Sequence, residues 1–156
     1  MVVYRICSKK ELKLILKNKN MNNIGVIHNE NYLFKNFVNT HDYIPGVRYM
    51  HFFKDFSSLY YGLIYGKGFN ICTYDIDDEL LSRYKGMGKY YYFDTEYSLL
   101  EEYAIPSNMI KFDDLISVSE IVGYDDMFDD YKYKDVYVKS KKKLIKLKGG
   151  IQDVSI

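Results

Sequence analysis

The first side chain in this sequence with the type and setting to do chemistry is Glu102. It opens the segment Glu102-Tyr103-Ala104-Ile105-Pro106-Ser107, which reads as a strand. Tyr103 and Ile105 are good sheet formers, and Pro106 cannot donate a ladder hydrogen bond. Alternation along a strand sends Glu102 and Ala104 to the face opposite Tyr103 and Ile105. A carboxylate on that face is either a surface group or the centre of a site. Glu101 precedes it, so a slip of one residue would transfer the role. The chain has three histidines, His28, His41 and His51. Together they could supply a general acid and a general base, the chemistry of a ribonuclease. Taken singly, each reads as a solvated or core-edge histidine. Arg5, in the apolar run VVYRIC, must face solvent or meet an anion. No strong metal, phosphate or nucleophile motif accompanies these groups. Gly66-Lys67-Gly68 lacks the spacing and the Ser or Thr of a phosphate loop. The acids at 125–130 lack the spacing of a calcium loop, so they read as a solvated acidic loop.

The elements that must position these residues follow from periodicity and punctuation. Val2–Cys7 is an opening strand. Ser8 with Glu11 forms an S-x-x-E capping pattern for a helix carrying Leu12, Ile15 and Leu16. Residues 18–46 form a long polar stretch with a short strand at Val26-Ile27 and a helical turn or two over Tyr32–Val38. Val47–Phe53 is a second clear strand, followed by helical spacing at Phe56, Leu59, Tyr60, Leu63 and Ile64. Phe69–Ile76 is a third strand, and Asp77 caps a short helix. Lys85-Gly86-Met87-Gly88 reads as a flexible joint before an aromatic strand at Lys89–Phe93. After the Glu102 strand come Ile116–Val122, a short strand at Val136–Val138, and a lysine-rich edge strand or basic helix at 141–148. This order predicts one α+β domain over residues 1–138, with a curved or split, mainly antiparallel sheet and short flanking helices. Residues 139–156 are expected to form a basic tail or edge element.

A chain of 156 residues suits a single domain with a real core. Two cysteines so far apart in sequence suit neither a zinc site nor a disulfide framework, which favours a reducing, cytoplasmic setting. No apolar run is long enough to cross a membrane, and the N-terminus lacks a signal peptide's apolar region. The net charge of +1 is uneven: removing the six lysines within residues 139–148 leaves −5 for the remainder. A neutral-to-acidic body with a basic tail argues against a broad nucleic-acid-binding face. Eighteen tyrosines and no tryptophan suit a ring-shaped ligand or a protein partner, although joint enrichment of Lys, Asn, Ile and Tyr also follows from an AT-rich genome.

The order of parts resembles the ADP-ribosyltransferase fold in a small, divergent bacterial or phage form. The resemblance spans residues 2–122. It is carried by VYRI with Arg5, by YMHFFKDFSSLYYGL, by NICTYDIDDELLSRYKGMG and by LLEEYAIPS with Glu102. It implies NAD as the substrate, with no metal, and ADP-ribose passed to a macromolecular acceptor or to water. Glu102 would stabilise the positive charge that develops on the ribose. Arg5 would hold the pyrophosphate, with Tyr4 beside it. Phe53 and Tyr60 or Tyr61 would form the wall for nicotinamide, Ser57 or Ser58 would bond the ribose, and the stretch from Asn18 to Gly46 would fold over the cofactor. The Ser-Thr-Ser of the best-known members is missing from the second strand. Two other readings compete: a non-enzymatic inhibitor of the phage-encoded kind with a tyrosine-rich protein-binding surface, and a ribonuclease toxin.

Overall fold

The computed structural model describes residues 1–28, 41, 43–54, 70–92, 96–125 and 130–147. Strands β1 (Val2–Cys7), β2 (Val26–Ile27), β3 (Arg48–Phe53), β4 (Asn70–Asp75), β5 (Lys85–Tyr92), β6 (Glu96–Pro106), β7 (Leu115–Asp125), β8 (Asp130–Ser140) and β9 (Lys143–Lys146) pair throughout in antiparallel fashion. Among the described residues two α-helices, α1 (Lys9–Asn18) and α2 (Asp78–Arg83), accompany the sheet in an α+β domain. The strand order is β5-β6-β3-β1-β4-β7-β8-β9, with β2 on β3. The lysine-rich segment beyond residue 139 thus belongs to the sheet, as the end of β8 and all of β9.

The main core lies on one face of this sheet. Val3 and Cys7 of β1, Met50 and Phe52 of β3, Cys72 and Tyr74 of β4, Tyr103 and Ile105 of β6 and Val118 of β7 pack with Ile15 of α1 and Leu81 of α2. Each strand contributes alternate residues, as a half-covered antiparallel sheet requires. Cys7 and Cys72 sit side by side as buried free thiols, with sulfur atoms 2.6 Å apart. Their separation of 65 positions in sequence gave no hint of that contact. Helix α1 forms where the capping pattern predicts: the Ser8 hydroxyl accepts from the Glu11 amide at 3.1 Å. The Glu11 carboxylate, however, is taken by Arg5.

Between β1 and β3 the sheet comes close to splitting. The register there is a single pair, Tyr4 with Phe53, while the far end of β3 pairs with β2 through Tyr49 and Arg48. Gly25 allows that approach. Its φ is +103°, and a Cβ there would lie 2.2 Å from the Tyr49 carbonyl oxygen. At the narrow seam the Arg5 guanidinium donates to the His51 carbonyl at 3.2 Å, doing what a ladder amide would do.

Two expectations change. Lys85–Gly88 is not a joint but the start of β5, because the segment continues into a long hairpin with β6. The acidic stretch after Tyr124 is partly strand, since β7 runs to Asp125 and β8 begins at Asp130. The helices expected over Tyr32–Val38 and Phe56–Ile64 lie outside the described residues.

Candidate active site

Strand β6 delivers Glu102 as alternation predicts. Tyr103 and Ile105 enter the main core, and Glu102 turns to the other face, where it is only 1% exposed. An ionised carboxylate at that depth requires polar partners. His41 Nε2 lies 3.1 Å from Glu102 Oε1, and His51 Nδ1 lies 3.3 Å from the same oxygen. A carboxylate accepts only, so His41 presents its Nε2–H to it, while His51 Nδ1 stands beside the same oxygen at ion-pair distance. His51 Nε2 in turn lies 3.4 Å from the Tyr43 hydroxyl and 3.4 Å from His28 Nε2.

Two of the chain's three histidines therefore meet at one carboxylate, and the third, His28, joins the group through His51. His51 comes from β3, which pairs with β6 so that Phe53 faces Glu102 and His51 faces Ala104. His28 follows β2 directly and stacks on Tyr43 at 3.7 Å between ring centroids. His41 lies over β5, where Gly86 pairs with Glu102. A Cβ on Gly86 would come within 2.6 Å of His41 Nδ1, so the bare glycine is what lets the ring reach the carboxylate. Tyr43, Tyr49 and Ala104 form a small second apolar cluster beside the histidines. His41 and His28 are buried, and the His51 side chain, at 21% exposed, is the most open member of the group.

Burial holds His28 well below the ordinary imidazole range, at about 4, and the neighbouring His51 and His41 add to the effect against the opposing pull of Glu102. His28 is therefore neutral near pH 7.

The other expected site residues divide into three groups. Tyr4 and Phe53 lie in one cross-strand row with Glu102, and so on its face of the sheet. Arg5 does not join them. It lies on the α1 face with Val3 and Cys7, where Glu11 accepts from Arg5 Nε at 3.1 Å and Nη2 at 2.6 Å. Its link to the Glu102 group is indirect, through the His51 carbonyl. Ser57, Ser58, Tyr60 and Tyr61 lie outside the described residues. Glu101 pairs with Lys85 at 3.3 Å near the surface, so Glu102 is the buried acid of the two. Periodicity could not have joined the histidines to Glu102. A clue was that all of them fall within residues 28–51, around the strand that pairs with β6.

Comparison with family models, with curated proteins and with solved structures finds no match for this chain. Among the described residues no helix is long and apolar enough to cross a membrane.

Proposed function

We propose that this protein is an NAD-consuming enzyme of ADP-ribosyltransferase-like fold, and that Glu102 with His51 is its catalytic pair. The observation that carries the reading is a carboxylate 1% exposed with two imidazoles on one oxygen, one of them opening outward. The aromatic residues Tyr4 and Phe53 in the same row support a flat ligand on this face.

In the reaction, the oxygen of water or of an acceptor hydroxyl attacks C1′ of the ribose. The bond from C1′ to nicotinamide nitrogen breaks, and nicotinamide leaves as a neutral molecule with the bonding electrons. The proton from the attacking oxygen goes to His51 Nε2. Glu102, whose Oε1 lies 3.3 Å from Nδ1, stabilises the imidazolium that forms. Its negative charge also favours positive charge developing on the ribose nearby. Arg5 acts from behind as a positioning residue that ties the His51 backbone to α1 through Glu11.

The close approach of His28 to His51 favours a second reading, a ribonuclease with paired imidazoles. That pair needs one protonated member at neutral pH. A His28 held at about 4 is not that member near pH 7, so a ribonuclease reaction would have to use His51 as its acid and His28 as its base.

The experiment is incubation of purified protein with NAD, alone and with cell lysate, measuring nicotinamide release and transferred label, with RNA in a parallel arm. The expected result is nicotinamide release that Glu102→Gln and His51→Gln each reduce by roughly 10²-fold or more, with the fold retained. RNA cleavage without NAD turnover would transfer the site to the second reading. Absence of both activities would leave a non-catalytic protein.

A further inference from the structure

The opposite face of the sheet carries a feature that the Glu102 site does not use. Helix α1 and the β8–β9 hairpin bound a groove of about 320 Å³. Leu12, Leu16, Val136 and Tyr137, all half-buried, give it an apolar lining. Lys9, Lys13 and Lys146 are exposed around it, against one acid, Glu120. Glu120 is itself 4.0 Å from Lys134. Beside the groove runs β9, the last strand in the sheet order, which has no outer strand partner among the described residues.

We propose that this groove is a docking site for an extended protein segment carrying interleaved acidic and apolar side chains. The segment's backbone would pair with the outer edge of β9, as in strand addition. Its apolar side chains would cover Leu12, Leu16 and Tyr137, and its carboxylates would meet Lys9, Lys13 and Lys146. Charge complementarity selects an anionic partner, and the apolar lining selects a peptide over a nucleic acid. A phosphate backbone has nothing to place on two leucines and a valine. No arginine lines the groove, so the forked donor suited to phosphate is missing. Sequence alone left the lysines after residue 139 as a tail or an edge element; the fold sets two lysines of α1 beside Lys146.

The test uses the full chain and three labelled probes in fluorescence anisotropy: a peptide alternating Glu with Val or Leu, a Glu-Ser peptide of equal charge, and an oligouridylate of equal charge. The alternating peptide should bind in the micromolar range, since so small a groove buries few side chains. Charge reversal at Lys13→Glu with Lys146→Glu should weaken it by about tenfold or more and flatten its salt dependence. If the β9 change disturbs folding, as circular dichroism would show, Lys9→Gln with Lys13→Gln on exposed α1 positions carries the same comparison. Glu102→Gln should leave binding unchanged, which separates this site from the catalytic one. The proposal is overturned if the alternating peptide does not bind, if binding ignores the lysine changes, or if either control probe binds as tightly.

Discussion

Gly86→Ala tests whether His41 is held against Glu102 by close fit. The backbone at Gly86 does not adopt a positive φ, so alanine meets no conformational strain of its own. Its methyl group, however, would lie 2.6 Å from His41 Nδ1, 2.7 Å from Cε1 and 3.0 Å from Cγ. Non-bonded carbon atoms settle near 3.5 Å or more, so the ring must retreat by about 1 Å. A retreat of that size stretches the 3.1 Å contact between His41 Nε2 and Glu102 Oε1 to roughly 4 Å, past hydrogen-bonding range. Losing a hydrogen bond to a charged group costs about 1.5–3 kcal/mol. If β5 yields instead, overpacking costs about 1–3 kcal/mol. One cost replaces the other, so the expected loss is about 2 kcal/mol, or a melting temperature lower by roughly 4–8 °C in a domain of this size. Urea unfolding measures it, and nicotinamide release measures the effect on the site. The control is the same substitution in His41→Ala, where the methyl meets no ring. There Gly86→Ala should be neutral or stabilising by about 0.4–1 kcal/mol, through a less flexible unfolded chain. Equal effects in both backgrounds, or no effect in the native one, would refute the packing of His41 on Gly86.

Three further outcomes follow from other contacts. Arg5→Met strands the Glu11 carboxylate, which is only 15% exposed, and should cost about 3 kcal/mol in urea unfolding, less in the Glu11→Gln background. His28 binds a proton below about 4 when folded and near 6.5 when unfolded, so the unfolded chain takes up more protons between those values. Stability should therefore fall as pH drops from about 6.5 toward 4, and His28→Gln should reduce that slope in a pH series of unfolding midpoints. Lys141 and Lys142, at φ +47° and +66°, form the two-residue turn of the β8–β9 hairpin. Replacing them with Asn-Gly, the pair such a turn favours, should stabilise by about 1 kcal/mol, read as a higher urea midpoint.

Local information settled a large part of this protein. Alternation along β6 was enough to set Glu102 opposite Tyr103 and Ile105, because a strand's side chains have only two faces to choose from. The caps at Ser8 and Asp77 were readable for a similar reason, since a helix end draws on donors a few residues away. Arg5 shows where such reasoning stops. Its strand was evident, but its partner was not, and a carboxylate expected to close its own helix cap turned to it instead. Glycine at 86 suggested freedom in the sequence, whereas the fold uses its missing side chain as space for a ring brought from 45 residues away. The gathering of His41 and His51 on Glu102, with His28 behind His51, belongs wholly to tertiary structure. It depends on β3 pairing with β6 and β2 pairing with β3, and which strands pair is decided by burial of the whole sheet rather than by any one segment.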